Sequence, residues 1–126
     1  MVAAKTTAST PLVPHLRKAY KTDNLFIRTN NVLHKVNYKD ILWVHADGNY
    51  CYLHTSTRKY AVKVSLKKLM HKLWKYDFIR IHKSFVIQLT KIARIDLQNN
   101  MLELENQKFP IGRAYKADLL DHLDIL

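Results

Sequence analysis

From Leu25 onward the chain repeats one device, a short apolar cluster no longer than a β-strand followed by a polar break. The clusters "LFIRT", "NVLHKVN", "DILWVHA", "NYCYLHT", "KYAVKV", "FIRIH", "SFVIQ", "KIARIDL", "MLELE" and "KFPI" succeed one another. Many alternate apolar and polar residues with a period of two, and they are rich in β-branched and aromatic side chains bounded by Asn, Asp, Thr or Gly. The pattern predicts a mainly antiparallel β-domain over residues 23–126. Before it, residues 1–22 hold Thr6, Thr7, Ser9, Thr10, Pro11 and Pro14 with little periodicity, the composition of a flexible arm or linker.

Helical spacing interrupts the strands twice. Leu66, Leu69, Met70 and Leu73 fall at i, i+3, i+4 and i+7 behind Ser65, a good N-cap. Lys67, Lys68, His71, Lys72 and Lys75 take up the rest of that surface. No second helix lies close enough to form a helix-turn-helix, so this basic face suits solvent or phosphate rather than base reading. A second helix is expected after Gly112, running through "YKADLLDHLDIL", with Leu119 and Leu123 on one face and Asp118, Asp121 and Asp124 elsewhere.

Charge narrows the partner class. The chain carries 21 Lys and Arg against 10 Asp and Glu, a net charge of +11, while 48% of its residues are hydrophobic, enough to fold. Residues 1–95 hold 18 basic and 4 acidic side chains, and residues 96–126 hold 3 and 6. Such asymmetry points to a polyanion on one side, nucleic acid before a membrane surface; the plainer alternative is a solvated basic surface. Cys51 is the only cysteine, which excludes an internal disulfide and a thiolate-rich metal site and fits a reducing compartment. The apolar runs fall well short of the roughly 18 residues that span a membrane, and the start lacks the apolar core of a secretory signal, so the expected location is cytoplasmic. Seven scattered histidines show no metal-ligand spacing, and neither a Gly-x-Ser-x-Gly turn nor a phosphate-binding glycine loop occurs. We therefore expect no metal, no cofactor and no enzyme activity.

The segment "FIRIHKSFVI" poses the sharper question. Ile79, Ile81 and Phe85 to Ile87 read as core, but Arg80, His82, Lys83 and Ser84 interrupt them with groups that are costly to bury without partners. Period-2 alternation sets Arg80 and His82 on one strand face bordering the core, where they suit bracing more than base contact. The two glycines also precede notable residues. Asp47-Gly48 is a tight-turn signal followed by Asn49, and Gly112 precedes Arg113; Asn and Arg are side chains suited to base edges. Trp43, Trp74 and the seven tyrosines leave RNA binding by aromatic stacking as the alternative, although Trp43 between Leu42 and Val44 reads as core.

Together these pieces resemble the LytTR family, the DNA-binding output domain of many bacterial response regulators. The resemblance runs from about Leu25 to Leu123 and is carried by "DGNYCYLHT", "SLKKLMHKL", "FIRIHKSFVIQLTKI" and "FPIGRAYKADL". Its most specific part is filled by Phe78, Arg80, Ile81, His82, Lys83, Ser84, Phe85 and Val86. Gln88 departs from the usual Asn, and Gly112 from a frequent Ser. The resemblance implies about ten strands in small antiparallel sheets stacked as an elongated sandwich with one or two short helices. It also implies sequence-specific binding of duplex DNA by loops inserted in successive grooves, in the service of bacterial transcriptional regulation. The contacts it implies are Gly48 and Asn49 in one loop, Lys83 and Ser84 in the next, braced by Arg80 and His82, and Arg113 with Tyr115 and Lys116 in the last. Two copies on neighbouring direct repeats, and a weak homodimer whose surface no residue fixes, are implied as well. The first 22 residues cannot hold a receiver domain, so the chain reads as a freestanding regulator or a piece of a longer one.

Because residues 1–20 lack apolar periodicity, deleting them is expected to leave the thermal unfolding midpoint nearly unchanged. A large drop in a melting experiment would show that this segment packs as part of the fold.

Overall fold

The computed structural model describes residues 23–126; the arm expected over 1–22 lies outside the described residues. Ten strands form: β1 (Asn24–Thr29), β2 (Val32–Asn37), β3 (Ile41–Asp47), β4 (Tyr50–Thr55), β5 (Lys59–Val62), β6 (Phe78–His82), β7 (Phe85–Gln88), β8 (Arg94–Asp96), β9 (Met101–Leu104) and β10 (Gln107–Pro110). Helix α1 (Leu66–Leu73) separates β5 from β6, and α2 (Lys116–Asp121) follows β10. All strand pairs are antiparallel, arranged as a β1-β2 hairpin, a five-stranded sheet of order β5-β4-β3-β7-β6 and a three-stranded sheet of order β10-β9-β8. Two-residue turns set the hairpins. Asn30-Asn31 and Glu105-Asn106 both take positive φ, and Gly48 takes φ +61°, as twisted hairpins require.

The five-stranded sheet is covered on both faces. Val44, Leu53, Tyr60 and Val86 face a core completed by Ile27 and Val36 of the hairpin and by Leu66, Leu69 and Leu73 of α1. Ile79, Ile81 and Ile87 face the opposite core with Leu102, Leu104, Phe109, Ile111 and Leu119. In β3 the pairing slips between Ile41 and Trp43, and Leu42 and Trp43 accordingly both pack toward the second core. Trp43 is half-buried there, stacked on the His54 ring at 4.5 Å and meeting the edge of Phe109 at 5.1 Å. Cys51 is fully buried and donates its thiol hydrogen to the Val64 carbonyl (3.1 Å); burial pushes this thiol up, away from reactivity.

Helix α1 begins as its sequence predicts, with Ser65 Oγ accepting the Lys68 N–H at 3.1 Å. The second helix is shorter than its leucine spacing predicts. A 3-10 turn occupies Arg113–Tyr115, and the helix ends at Asp121 instead of continuing to the last leucine. Leu119 is fully buried, Leu123 only half-buried, and the His122 ring meets the Asp118 carbonyl at 2.7 Å. Past Leu119 the apolar side chains are not packed, Leu120 and Leu123 being partly and Ile125 largely exposed, and tertiary burial is what stabilises so short a helix.

One buried polar side chain joins the hairpin layer to the central sheet. Gln88, at the end of β7, is 4% exposed and donates from Nε2 to the carbonyls of Tyr38 (3.3 Å), Lys39 (3.2 Å) and Ile41 (2.8 Å). Its Oε1 accepts the Thr90 hydroxyl at 3.0 Å. Gln88→Leu keeps the volume but removes the donor these carbonyls share, the Tyr38 carbonyl keeping the Ile41 N–H, and is expected to cost about 1–3 kcal/mol in urea unfolding. Gln88→Asn, one methylene short, should recover little of it.

Candidate nucleic-acid interface

Strand direction decides which loops meet. β3 runs opposite to β7 with His45 paired to Phe85, so the β3–β4 turn and the β6–β7 turn emerge at the same end of the sheet. The Ala46 N–H donates to the Ser84 carbonyl at 2.8 Å and links them. The segment after β10 joins the same end through the Gly112 N–H, which donates to the Ile81 carbonyl at 2.7 Å. Glycine permits this approach: a Cβ on Gly112 would stand 3.0 Å from Tyr115 Cδ2 and 3.5 Å from the His82 Cα.

Polar groups of the central motif hold this end together. Arg80 donates from Nη2 to the Lys83 carbonyl (2.6 Å) and from Nε to the His82 carbonyl (3.4 Å), and its guanidinium lies 5.6 Å from the centre of the Tyr115 ring. His82 Nδ1 accepts the Ser84 N–H at 3.1 Å, an arrangement that requires this nitrogen to be unprotonated. The His82 ring also leans on Phe85, which stacks on His45 at 4.7 Å. Two side chains that interrupt the apolar pattern thus spend their hydrogen bonds on the turn carrying Lys83.

The candidate residues divide in two. Asn49, Lys83 and Arg113 are exposed, and their side chains make no hydrogen bond or ion pair among the described residues. Gly48 supplies the left-handed backbone that turns the chain before Asn49, with open space where a Cβ would go. Arg80, His82 and the backbone of Ser84 brace, as above. Tyr115 is half-buried under Arg80, and Lys116 is committed elsewhere, its Nζ donating to Asn100 Oδ1 (2.7 Å) and the Leu97 carbonyl (3.3 Å). That bond holds the β8–β9 turn to the start of α2. The exposed Asp47 is the one carboxylate in the β3–β4 turn.

Two neighbours of these candidate residues are not singled out by the sequence. Lys63 follows β5, whose Val62 pairs with Cys51, and it lines with Gly48, Asn49 and Ser65 a shallow cleft of about 280 Å³. Asn100, at φ +53°, holds Lys116, accepts the Ile111 N–H through its carbonyl (2.8 Å) and lines with Arg113 a cleft of about 250 Å³. Lys63 carries no local signal, since only the β4–β5 pairing brings it to Asn49; the consecutive Asn99-Asn100 was at most a turn signal.

The model of the LytTr DNA-binding domain family matches residues 31–124. The chain belongs to this family. The sensory transduction protein LytT of Bacillus subtilis is 30% identical over 94 residues, which cover 71% of this chain and 39% of that protein. The heme-containing CO-sensing transcriptional regulator RcoM 2 of Paraburkholderia xenovorans is 24% identical over 119 residues, 90% of this chain and 43% of that one. The chain therefore spans about two fifths of the length of these relatives. A solved LytTr DNA-binding domain from Bacillus cereus superposes with a TM-score of 0.67 at 22% identity, covering 79% of this chain and 98% of that one, a likeness of fold. This LytTr domain is thus a DNA-binding module, and among its described residues no helix is long and apolar enough to cross a membrane.

Arg80→Met should test the bracing. Losing partly exposed charge-assisted bonds is expected to cost about 1 kcal/mol of stability, and hydrogen exchange at the Ser84 and Tyr115 amides should quicken more than in the rest of the sheet. Unchanged protection there would show that Arg80 does not hold the two loops.

Proposed function

We propose that this domain reads duplex DNA sequence with the three loops at one end of the central sheet, as the DNA-recognition part of a bacterial transcription regulator acting in the cytoplasm. Asn49, Lys83 and Arg113 are the reading side chains, and the module binds rather than catalyses. The observation that carries the proposal is that three exposed polar side chains without a hydrogen-bond or ion-pair partner among the described residues stand on loops tied to one another through Ala46–Ser84, Ile81–Gly112 and Arg80–Tyr115. Preorganised loops with free donors suit base edges, because little ordering entropy is left to lose on binding. Arg113 suits the O6 and N7 acceptors of guanine, Asn49 suits adenine, and Lys83 suits a base edge or a phosphate. Gly48 lets the first loop approach the duplex closely. Ser84 sits beside Lys83 with its hydroxyl available, while Arg80, His82, Tyr115 and Lys116 serve binding by holding the loops. Lys63, beside Asn49, is placed to contact phosphate.

The test begins with selection of bound fragments from random duplex DNA, with single-stranded RNA as competitor. A specific duplex is expected to outcompete random duplex by at least about a thousandfold near physiological salt. Arg113→Ala and Asn49→Ala should each cost on the order of 1–3 kcal/mol on the selected site and flatten discrimination at one base position. Lys63→Ala should weaken all duplexes alike and make the slope of log affinity against log salt shallower by about one unit. A preference for single-stranded RNA over every duplex, or a well-folded Arg113→Ala protein with full discrimination, would overturn the assignment.

A further inference from the structure

Among the described residues, the side of the molecule facing away from α2 carries a groove. It lies between β1, β5 and α1, holds about 250 Å³, has Val62 and Leu69 in its floor and is edged by Phe26, Arg28 and Lys72. Phe26 is 58% exposed, a large apolar side chain left facing water on a hairpin whose outward face also carries Arg28 and Lys35. The opposite side of the same domain has the complementary chemistry. Asp118, Asp121 and Asp124 alternate with leucines and with Ile125, which is 63% exposed, and residues 117–126 hold no Lys or Arg. His122, against Asp118 at 3.8 Å, is the only other titratable side chain on this segment.

We infer that the groove receives the acidic C-terminal segment, Leu120 to Ile125, of a second copy of this chain, so that copies bound side by side on DNA contact one another head to tail. The segment cannot fill the groove of its own chain. Leu119 is fully buried in the core on one face of the central sheet, whereas Leu69 belongs to the core on the other face. A two-fold arrangement pairing groove with groove would oppose cationic rims, and like charges in an interface are costly. Head-to-tail contact instead sets Arg28 and Lys72 against Asp121 and Asp124 while Ile125 covers Phe26. Such a contact is heterologous and repeats without closing, so it requires sites in direct rather than inverted orientation. Exposed ion pairs and a small apolar contact make it weak in solution, but two copies on one duplex meet at an effective concentration near millimolar. This inference rests on the DNA-reading function proposed above.

The experiment compares duplexes carrying one and two copies of the selected site in direct orientation over a range of spacings, at one salt concentration. At the best spacing the second copy is expected to bind about 10- to 100-fold tighter than the first, a usual size for coupling between sites. The groove variant Arg28→Glu/Lys72→Glu, the tail variant Asp121→Lys/Asp124→Lys and Phe26→Asp should each abolish this gain, read as the ratio of two-site to one-site affinity of the same variant because charge reversal shifts both through the general electrostatic term, while thermal stability stays near wild type. Combining the four charge reversals in one chain should restore it. Independent binding of wild type at every spacing, or a gain untouched by groove and tail variants, would overturn the inference and leave the one-site function standing. Loss of one-site binding by the wild type would instead sink the functional proposal. Sedimentation velocity without DNA then still decides, since a mixture of groove-variant and tail-variant chains should associate more than either alone, and equal behaviour refutes the contact. If residues 1–22 of the same chain occupy the groove, deleting them will lower the wild-type melting midpoint but not that of Phe26→Asp, which also refutes it.

Discussion

Val44 and Val86 pair in the middle of the five-stranded sheet with no exposed surface, while their strand neighbours Leu42 and Ile87 point into a different core. β3 and β7 must therefore be covered on both faces, and single-stranded segments cannot do this. The β1-β2 hairpin with α1 supplies one cover, and the three-stranded sheet with α2 supplies the other. The antiparallel pairing of β3 with β7 sets two of the loops at one end of the sheet, and the second cover brings the segment after β10 to the same end. Apolar burial of this kind is the dominant favourable term in folding, and it is non-directional. Direction comes from Gln88, whose amide fixes how the hairpin layer meets the sheet.

The polar residues within the apolar pattern solve a different problem. Arg80 lies beyond the edge of the core, where burying its charge unpaired would be prohibitive, and the turn carbonyls of His82 and Lys83 receive its donors instead. His82 takes the Ser84 N–H. A short turn whose backbone groups are engaged by side chains holds its tip still, and the adjacent Lys83 makes no hydrogen bond or ion pair among the described residues. Lys116 and Asn100 do the same for the last loop, leaving Arg113 free. A lysine beside an arginine is thus not a second reader by proximity alone; its hydrogen bonds decide.

Charge is distributed along the layers as well as toward the loop end. The hairpin and α1 carry cations, while the end of the chain carries carboxylates, so the domain has an electrical polarity from one cover to the other. A domain with such polarity favours successive copies in one orientation, because like faces repel at short range and unlike faces attract within about a Debye length, roughly 8–10 Å at physiological ionic strength.

The class of fold is legible in short stretches of the chain. Apolar clusters with a period of two, Asp47-Gly48 between two of them and Ser65 before a 3.6-residue period are local statements, and local sterics and burial make them readable. The likeness to the LytTr family was legible for a related reason, since it is carried by the short contiguous run from Phe78 to Val86, in which Arg80 and His82 brace one turn. Tertiary structure alone decided that Lys63 stands beside Asn49, that Asn100 holds Lys116, and that the last helix stops at Asp121 despite its leucine spacing. The physical reason is that these depend on strand order. Whether a lysine faces a partner loop or a turn carbonyl follows from which strands pair across 10 to 50 residues of chain, and a helix end depends on where the neighbouring core runs out of surface to share.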